Sequence, residues 1–490
     1  MSLSKKLSKY QFSWFWIGIA SVFLLSVTLR FWGLSRFNTL VFDEVYYAKF
    51  ANNYLTRTPF FDGHPPLSKY IIAIGMWIGS HLPFGQDAVN SLTGSLRSTF
   101  SYRWLNALTG SFIPLVVAGI AYQISYRRSY ALIAALFAAA DGLFLVESRY
   151  ALNNVYLVIF GLLGQWFLLI GLAQQAKQRI FWLILAGVGF GASASIKWNG
   201  LWFLLGAYLI WLTAWALRWL ESRRNSDVNQ RNLVGRQSLQ NLTQLKIWHV
   251  LFYLAIIPAL VYSIQWIPHL QINPQPGFWG VQKQILEYHQ RVGSGPTVHR
   301  YCSSWYTWLL MIRPVAYFYQ TAQSATEPLP VMGPPLPVAN GQVIYDVHAI
   351  GNPALWWLST TAILFFLGIL AQRVINWVGN WQGRSPRLSS ADTWIILYLV
   401  LNWLANLLPW MRVTRCAFIY HYMSASVFSG LAIAFIVDQC LHSYRRKFRA
   451  LGVTIIFLIL LAFVFWMPIY LGLPLSPEAY KLRMWFPSWI

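Results

Sequence analysis

Apolar positions along this chain gather in runs long enough to cross a hydrocarbon core, which takes about 20 residues of helix, and the runs recur from end to end. Eleven spans are predicted, at 13–33, 104–125, 130–147, 152–174, 180–196, 198–217, 248–267, 354–372, 392–410, 416–438 and 452–473. The stretch 180–217 is too long for one helix, so it is divided at the polar break Lys197-Trp198-Asn199. The run Tyr70 to Gly79 is too short to cross, and Pro65-Pro66 is placed to open its first turn; it reads as an interfacial or re-entrant helix. The pattern predicts an all-α polytopic membrane protein, a single multi-pass domain over 1–490. Two long segments, 34–103 and 268–353, lie on one face, and a shorter one, 218–247, lies on the other.

Composition agrees. Of 490 residues, 57% are hydrophobic and 10% charged, which excludes an ordinary soluble globule. The net charge of +23 would suit a nucleic-acid binder, but its distribution does not. Place the N-terminus, with Lys5, Lys6 and Lys9, inside. The basic groups Arg127-Arg128, Lys177 with Arg179, the 218–247 and 373–391 loops, and Arg445 to Arg449 then fall on the same side. About 20 of the 37 Lys and Arg sit there in roughly 80 residues, the asymmetry that orients membrane proteins. The expected surroundings are a lipid bilayer and no nucleic acid, with the C-terminus outside. The first span is too long for a signal-peptide core and lacks a small-residue cleavage site, so it is expected to be retained. Cys302, Cys416 and Cys440 show neither CxxC nor metal-ligand spacing and add little.

The external face holds the unusual residues. Asp43 and Glu44 form an acid pair in "TLVFDEVYYAKFANNYLTRTPFFDGHPPLSKY" (39–70), which also carries His64 and Lys69, expected at headgroup level. Arg103 precedes the second span; Glu147, Arg149 and Tyr150 mark one span junction and Lys197 another. Arg412 and Arg415 precede the tenth span, with His421 just inside it. An acid pair in a loop is ordinarily just solvated, and basic groups at helix ends commonly snorkel to headgroups. Ionisable groups at such depth nevertheless cost several kcal/mol unless they are paired or face water, which makes them functional candidates. Together they outline a basic cavity with acids at its mouth, suited to a lipid-tailed phosphate: cations neutralise a leaving phosphate and a carboxylate takes a proton from an incoming hydroxyl. Trp305, Tyr306, Trp308, Tyr317, Phe318 and Tyr319 read most simply as an interfacial aromatic belt.

The chain resembles the protein O-mannosyltransferases, membrane enzymes of the C-type glycosyltransferase fold. The matching pieces are "FDEVYYAKFANNYL" (42–55), "FFDGHPPLSKYIIAIG" (60–75), "YRWLNALTGSFIPLV" (102–116), "VESRYALNN" (146–154), "GVGFGASASIKWNGLWFLLG" (187–206), "EYHQRV" with "SSWYTWLLMIRPVAYFY" (287–319) and "LPWMRVTRCAFIYHYMSASVF" (408–428). The resemblance implies transfer of mannose from polyprenyl-phosphate mannose to Ser or Thr hydroxyls of secreted or membrane proteins. It implies an inverting mechanism; no cofactor is expected, and the fixed cations make a metal non-obligatory for holding the phosphate. It casts Asp43 as the catalytic acid/base or acceptor-positioning group with Glu44 beside it, and matches Arg103, Lys197 and His64 to family positions, Lys197 as a donor-phosphate ligand; the reading of the basic cavity adds Lys69, Arg149, Arg412, Arg415 and His421 as substrate-binding. The soluble domain that eukaryotic members insert in the second long segment has no room in 268–353, which suggests a bacterial member of the cell (inner) membrane with a periplasmic active site. Where an aspartate is expected after the "SRY" segment, this chain has Asn153-Asn154. The competing readings are an aminoarabinose-transferase-like enzyme acting on lipid A and a polytopic lipid transporter; no repeated half supports the latter.

Overall fold

The computed structural model describes residues 3–224, 238–322, 343–379 and 389–490; parts of the 218–247 and 373–391 loops, at 225–237 and 380–388, lie outside them. The first half comprises α1 (Leu3–Phe31), α2 (Glu44–Thr56), α3 (Leu67–Gly79), the hairpin β1 (Val89–Leu92) and β2 (Ser95–Ser98), α4 (Thr99–Ser125), α5 (Arg128–Ala139), α6 (Gly142–Arg149), α7 (Asn154–Ala173), α8 (Ala176–Ala194) and α9 (Leu201–Arg224). Three pieces, α10 (Ile247–Leu251), α11 (Ile257–Gln265) and α12 (Ile267–Ile272), with a π-helical turn at Phe252–Ile256, make one long rod. Then follow α13 (Gly277–Arg291), a second antiparallel hairpin of β3 (Val315–Ala322) and β4 (Val343–Ala349), α14 (Pro353–Val378), α15 (Ser390–Leu407), α16 (Met423–Leu441), α17 (Arg446–Leu471) and α18 (Pro477–Lys481).

Among the described residues nine helical segments are long and apolar enough to cross a membrane, and they match nine of the eleven sequence spans. The other two differ in character. Span 130–147 is the pair α5–α6, bent by 58°. The bend is built by Asp141, whose carboxylate caps the amides of Leu143 and Phe144 at 2.8 and 3.1 Å and accepts from the Trp356 indole at 2.6 Å. Span 180–196 is α8, with 19 residues but not apolar enough to stand as a span by itself; it packs along α7. Behind it the chain goes extended at Lys197 (φ −151°, ψ 148°) before a 3-10 turn, Trp198–Gly200, so the polar break is where the sequence puts it.

The apolar side chains form one continuous core through the bundle, with α4 packed against α1, α3, α5, α6 and α7. Pro66 is the N-cap of α3, as its place in the sequence suggests, and Ser98, Asn352 and Ser389 cap α4, α14 and α15 through side-chain oxygens. Two expectations change. The fold is not purely helical: both long segments carry a β-hairpin. Tyr317 also leaves the expected belt: it lies on β3 with Phe318 and Tyr319, but it is buried and its hydroxyl donates to Glu147. Cys302 and Cys416, which the sequence left unconnected, form a disulfide; Cys440 is free.

Candidate functional site

The site is built around the sharp turn after α1. Phe42 sits at φ 51°, a left-handed conformation uncommon for a bulky residue, and its ring stacks on Tyr317 with centroids 4.2 Å apart. Glu44, two residues on, is fully buried. Its carboxylate accepts from the amides of Val41 and Ala151, both at 2.8 Å, and from Arg103 through Nε at 2.8 Å and Nη2 at 2.7 Å. Asp43 is therefore clamped from both sides. Its own carboxylate has no hydrogen-bond donor among the described residues, and it is half-buried at the start of α2. Burial pushes the Asp43 carboxyl up to about 6, with Lys197 pulling it down and Asp62 pushing it further up.

The charge facing it comes from the α8–α9 break. The buried Lys197 ammonium donates to Asn154 Oδ1 at 2.9 Å, lies 5.5 Å above the Tyr420 ring, and has Asp43 and Glu147 as its acidic neighbours. Asn154 in turn donates to Glu147 at 3.1 Å, and Glu147 accepts from Tyr317. This chain, Tyr317–Glu147–Asn154–Lys197, fixes the lysine. One of its three N–H groups is bonded to protein; the others remain for a ligand.

Around this pair stand three imidazoles and an arginine. His64 and His289 approach to 5.3 Å between ring centroids. Burial, then the charge of Lys197, holds His64 well below its ordinary pKa, and burial with Arg415 lowers His289 to about 4, so both are neutral donors or acceptors at physiological pH. His421 is buried, its Nδ1 against the backbone of Phe418 at 3.0 to 3.1 Å, its ring packed on Trp410 at 4.4 Å and on Trp308 at 6.0 Å. Arg415 has a single protein acceptor, the Cys416 carbonyl at 3.1 Å, and borders a cavity of about 300 Å³ walled by Trp305, Trp308, Trp410 and serines 294, 303 and 304.

The residues singled out from sequence thus divide. Asp43, His64, Lys197, Arg415 and His421 come together. Glu44 and Arg103 do not face the cavity: all five N–H donors of Arg103 are spent, three of them on the Leu34, Phe37 and Thr39 carbonyls at 3.1, 2.9 and 2.8 Å. Arg149 is buried and donates to the carbonyls of Leu29, Arg30, Trp32 and Gly33 that close α1, a C-terminal cap. Lys69 is buried, ion-paired with Asp62 at 2.6 Å, and donates to the His64 carbonyl at 3.2 Å. Arg412 is exposed. These four cations stand apart from the cluster: the donors of Arg103 and Lys69 are taken up by protein, Arg149 has only its buried Nε without a partner among the described residues, and Arg412 is exposed. Missed from sequence were His289, inside the quoted "EYHQRV", and the Asn154–Glu147–Tyr317 relay. Among the described residues no group of three or more His, Cys, Asp and Glu is placed to hold a metal ion.

Comparison with known proteins places this geometry. A family model for dolichyl-phosphate-mannose-protein mannosyltransferase matches residues 20–272, and one for the C-terminal four-transmembrane region of protein O-mannosyltransferase matches 274–489. The chain is 26% identical to a polyprenol-phosphate-mannose–protein mannosyltransferase of Corynebacterium glutamicum, over 96% of this chain and 92% of that one. It is 23% identical to its namesake from Mycobacterium tuberculosis, over 97% and 92%. Its fold is similar to that of the Saccharomyces cerevisiae protein O-mannosyltransferase Pmt1–Pmt2 complex bound to the sugar donor, with a TM-score of 0.74, 15% identity, and 97% and 92% of the two chains covered. With both halves matched in order, the chain belongs to the protein O-mannosyltransferase family and is a membrane glycosyltransferase.

Proposed function

We propose that the protein transfers mannose from polyprenyl-phosphate mannose to Ser or Thr hydroxyls of proteins, on the side of the membrane opposite the basic loops. The observation that carries this reading is the pairing of a carboxylate with no donor among the described residues, Asp43, with a cation that has N–H groups to spare among them, Lys197, at one end of the helix bundle. The acceptor hydroxyl attacks the anomeric carbon as Asp43 takes its proton, and the bond to phosphate breaks with its electron pair going to the phosphate oxygen. Lys197 and Arg415 stabilise the negative charge that develops on polyprenyl phosphate. A single free base and a single displacement invert the anomeric configuration. His64, His289 and His421, neutral or buried, line the space between and can hydrogen-bond sugar hydroxyls.

The sidedness is supported by the cysteines: disulfides persist in oxidising compartments, and the bonded pair lies beside Arg415, whereas the free Cys440 lies next to the basic turn Arg445 to Arg449. The test is to incubate membranes containing the protein with labelled polyprenyl-phosphate mannose. Label recovered on protein in alkali-labile linkage supports the proposal. Label on lipid A, or none transferred while an Asp43→Asn control behaves identically, ends it.

A further inference from the structure

The stretch carrying Arg415 has no regular structure of its own; it runs from the 3-10 turn ending at Arg412 to the one beginning at Ile419. Three links fasten it to the segment after α13, across 114 residues of sequence. They are the Cys302–Cys416 disulfide, the Cys416 amide donating to the Gly293 carbonyl at 2.8 Å, and the Ser303 amide donating to the Ala417 carbonyl at 2.8 Å. All three fall within two residues of Arg415. Among the described residues the guanidinium's single acceptor is the carbonyl of Cys416 itself, so backbone placement, and not a side-chain partner, decides where the charge sits. Cys302, Ser303, Val413, Arg415 and Ala417 all border the same cavity, so the links also shape its wall.

We propose that Cys302 and Cys416 are positioning residues for Arg415: their disulfide holds the arginine against the donor phosphate, and tight donor binding requires the oxidised pair. This rests on the reading of Arg415 as a phosphate ligand. Reduction by a dithiol breaks the S–S bond, leaves two thiols, and oxidises the reductant to its cyclic disulfide. The Arg415 strand then keeps only two backbone hydrogen bonds to its anchor, and the guanidinium samples positions away from the phosphate. A plain fold staple would act differently, lowering stability and affecting both substrates alike.

The experiment uses the full chain in detergent and reads binding of polyprenyl phosphate directly, beside donor and acceptor KM in the transfer assay. The proteins are wild type before and after dithiothreitol, Cys302→Ser, Cys416→Ser, and Arg415→Ala. Reduction of the wild type, verified by alkylation of both thiols, should weaken polyprenyl-phosphate binding and raise donor KM by roughly 10-fold or more, the effect of losing one charge-assisted contact, with acceptor KM unchanged. The serine variants should show the same loss and no further response to dithiothreitol, and Arg415→Ala should be insensitive to it. Unchanged binding in the fully reduced wild type overturns the proposal. So does a parallel loss for both substrates with a lowered thermal midpoint, or free thiols at both positions before reduction. If the oxidised wild type binds polyprenyl phosphate but transfers no mannose, the proposed function fails while the positioning role is still read from binding.

Discussion

Asp43 can serve as a base only while ionised, and its buried place at the end of a strained turn raises its pKa to about 6. The rate from saturated enzyme should therefore climb as pH rises through about 6 and level off above it, and Asp43→Asn should lower it by roughly 10²- to 10⁴-fold with little change in donor binding. Stability has the opposite sign. A carboxyl whose folded pKa exceeds its unfolded value binds its proton more tightly when folded, so its ionisation costs stability as pH rises from about 4 through about 6. Asp43→Asn should thus keep or raise the thermal midpoint at pH 7. The neighbouring acid behaves otherwise: Glu44→Gln weakens the only carboxylate partner of a buried guanidinium, where breaking a buried pair outright costs on the order of 3–5 kcal/mol. A clear fall in midpoint, recovered by no increase in donor concentration, is expected; a stable Glu44→Gln enzyme with lost turnover would return Glu44 to the chemistry. The resemblance already set Asp43, as the base, apart from Glu44; the sequence does not show that Glu44 is spent on Arg103 and on the amides of Val41 and Ala151. Sequence shows that Arg103, Arg149 and Lys69 carry charge at depth; it does not show that these side chains are engaged by Glu44, by the end of α1 and by Asp62.

At the scale of elements, apolar runs were enough to locate nearly every helix, because in a membrane the backbone has to satisfy itself within each span. They mislead where a neighbour supplies what the run lacks. The α8 helix is too polar to stand as a span, yet it lies along α7 at backbone contact: a Cβ on Gly189 would come within 2.8 to 2.9 Å of the Gly164 backbone. Small residues that let two helices touch are a common device of membrane packing. Gly189→Leu should therefore force α7 and α8 apart and cost about 1–3 kcal/mol, read as a lower thermal midpoint and reduced yield of folded protein. Since α8 ends just before Lys197, donor KM should rise as well. A leucine tolerated at full stability and activity would mean the close approach is not needed. The strands were illegible for a related reason. Tyr317, Phe318 and Tyr319 have the composition of an interfacial belt; on β3 an irregularity in the pairing with β4 leaves Tyr317 without a cross-strand partner, and its hydroxyl turns inward to Glu147.

For the molecule as a whole, the two ends of the bundle differ in every charged and oxidisable feature. One end gathers Asp43, Lys197, Arg415 and the disulfide; the other carries the turn Arg445 to Arg449, the ion pairs of Arg127 with Asp392 and Asp438 at 3.1 and 3.3 Å, and the free Cys440. On the proposed topology the second end faces the cytoplasm, as the positive-inside rule expects of basic loops, and the first lies outside it, where a disulfide would persist. These are independent arguments, one from insertion and one from redox chemistry, and they agree. Labelling of introduced cysteines checks them. Asn90 would be a poor probe, since its side chain bonds Asn38, Thr99 and Tyr102. Leu96, at 76% exposure on β2, and the fully exposed Tyr444 serve better. In a Cys440→Ser background, an impermeant maleimide added to intact cells should modify Leu96→Cys at once and reach Tyr444→Cys only after the membrane is opened. Labelling of Tyr444→Cys in sealed cells, with Leu96→Cys spared, would turn the protein over; the acid and its cations would then face the cytoplasm, where secreted acceptors are not yet exported and the disulfide would not persist.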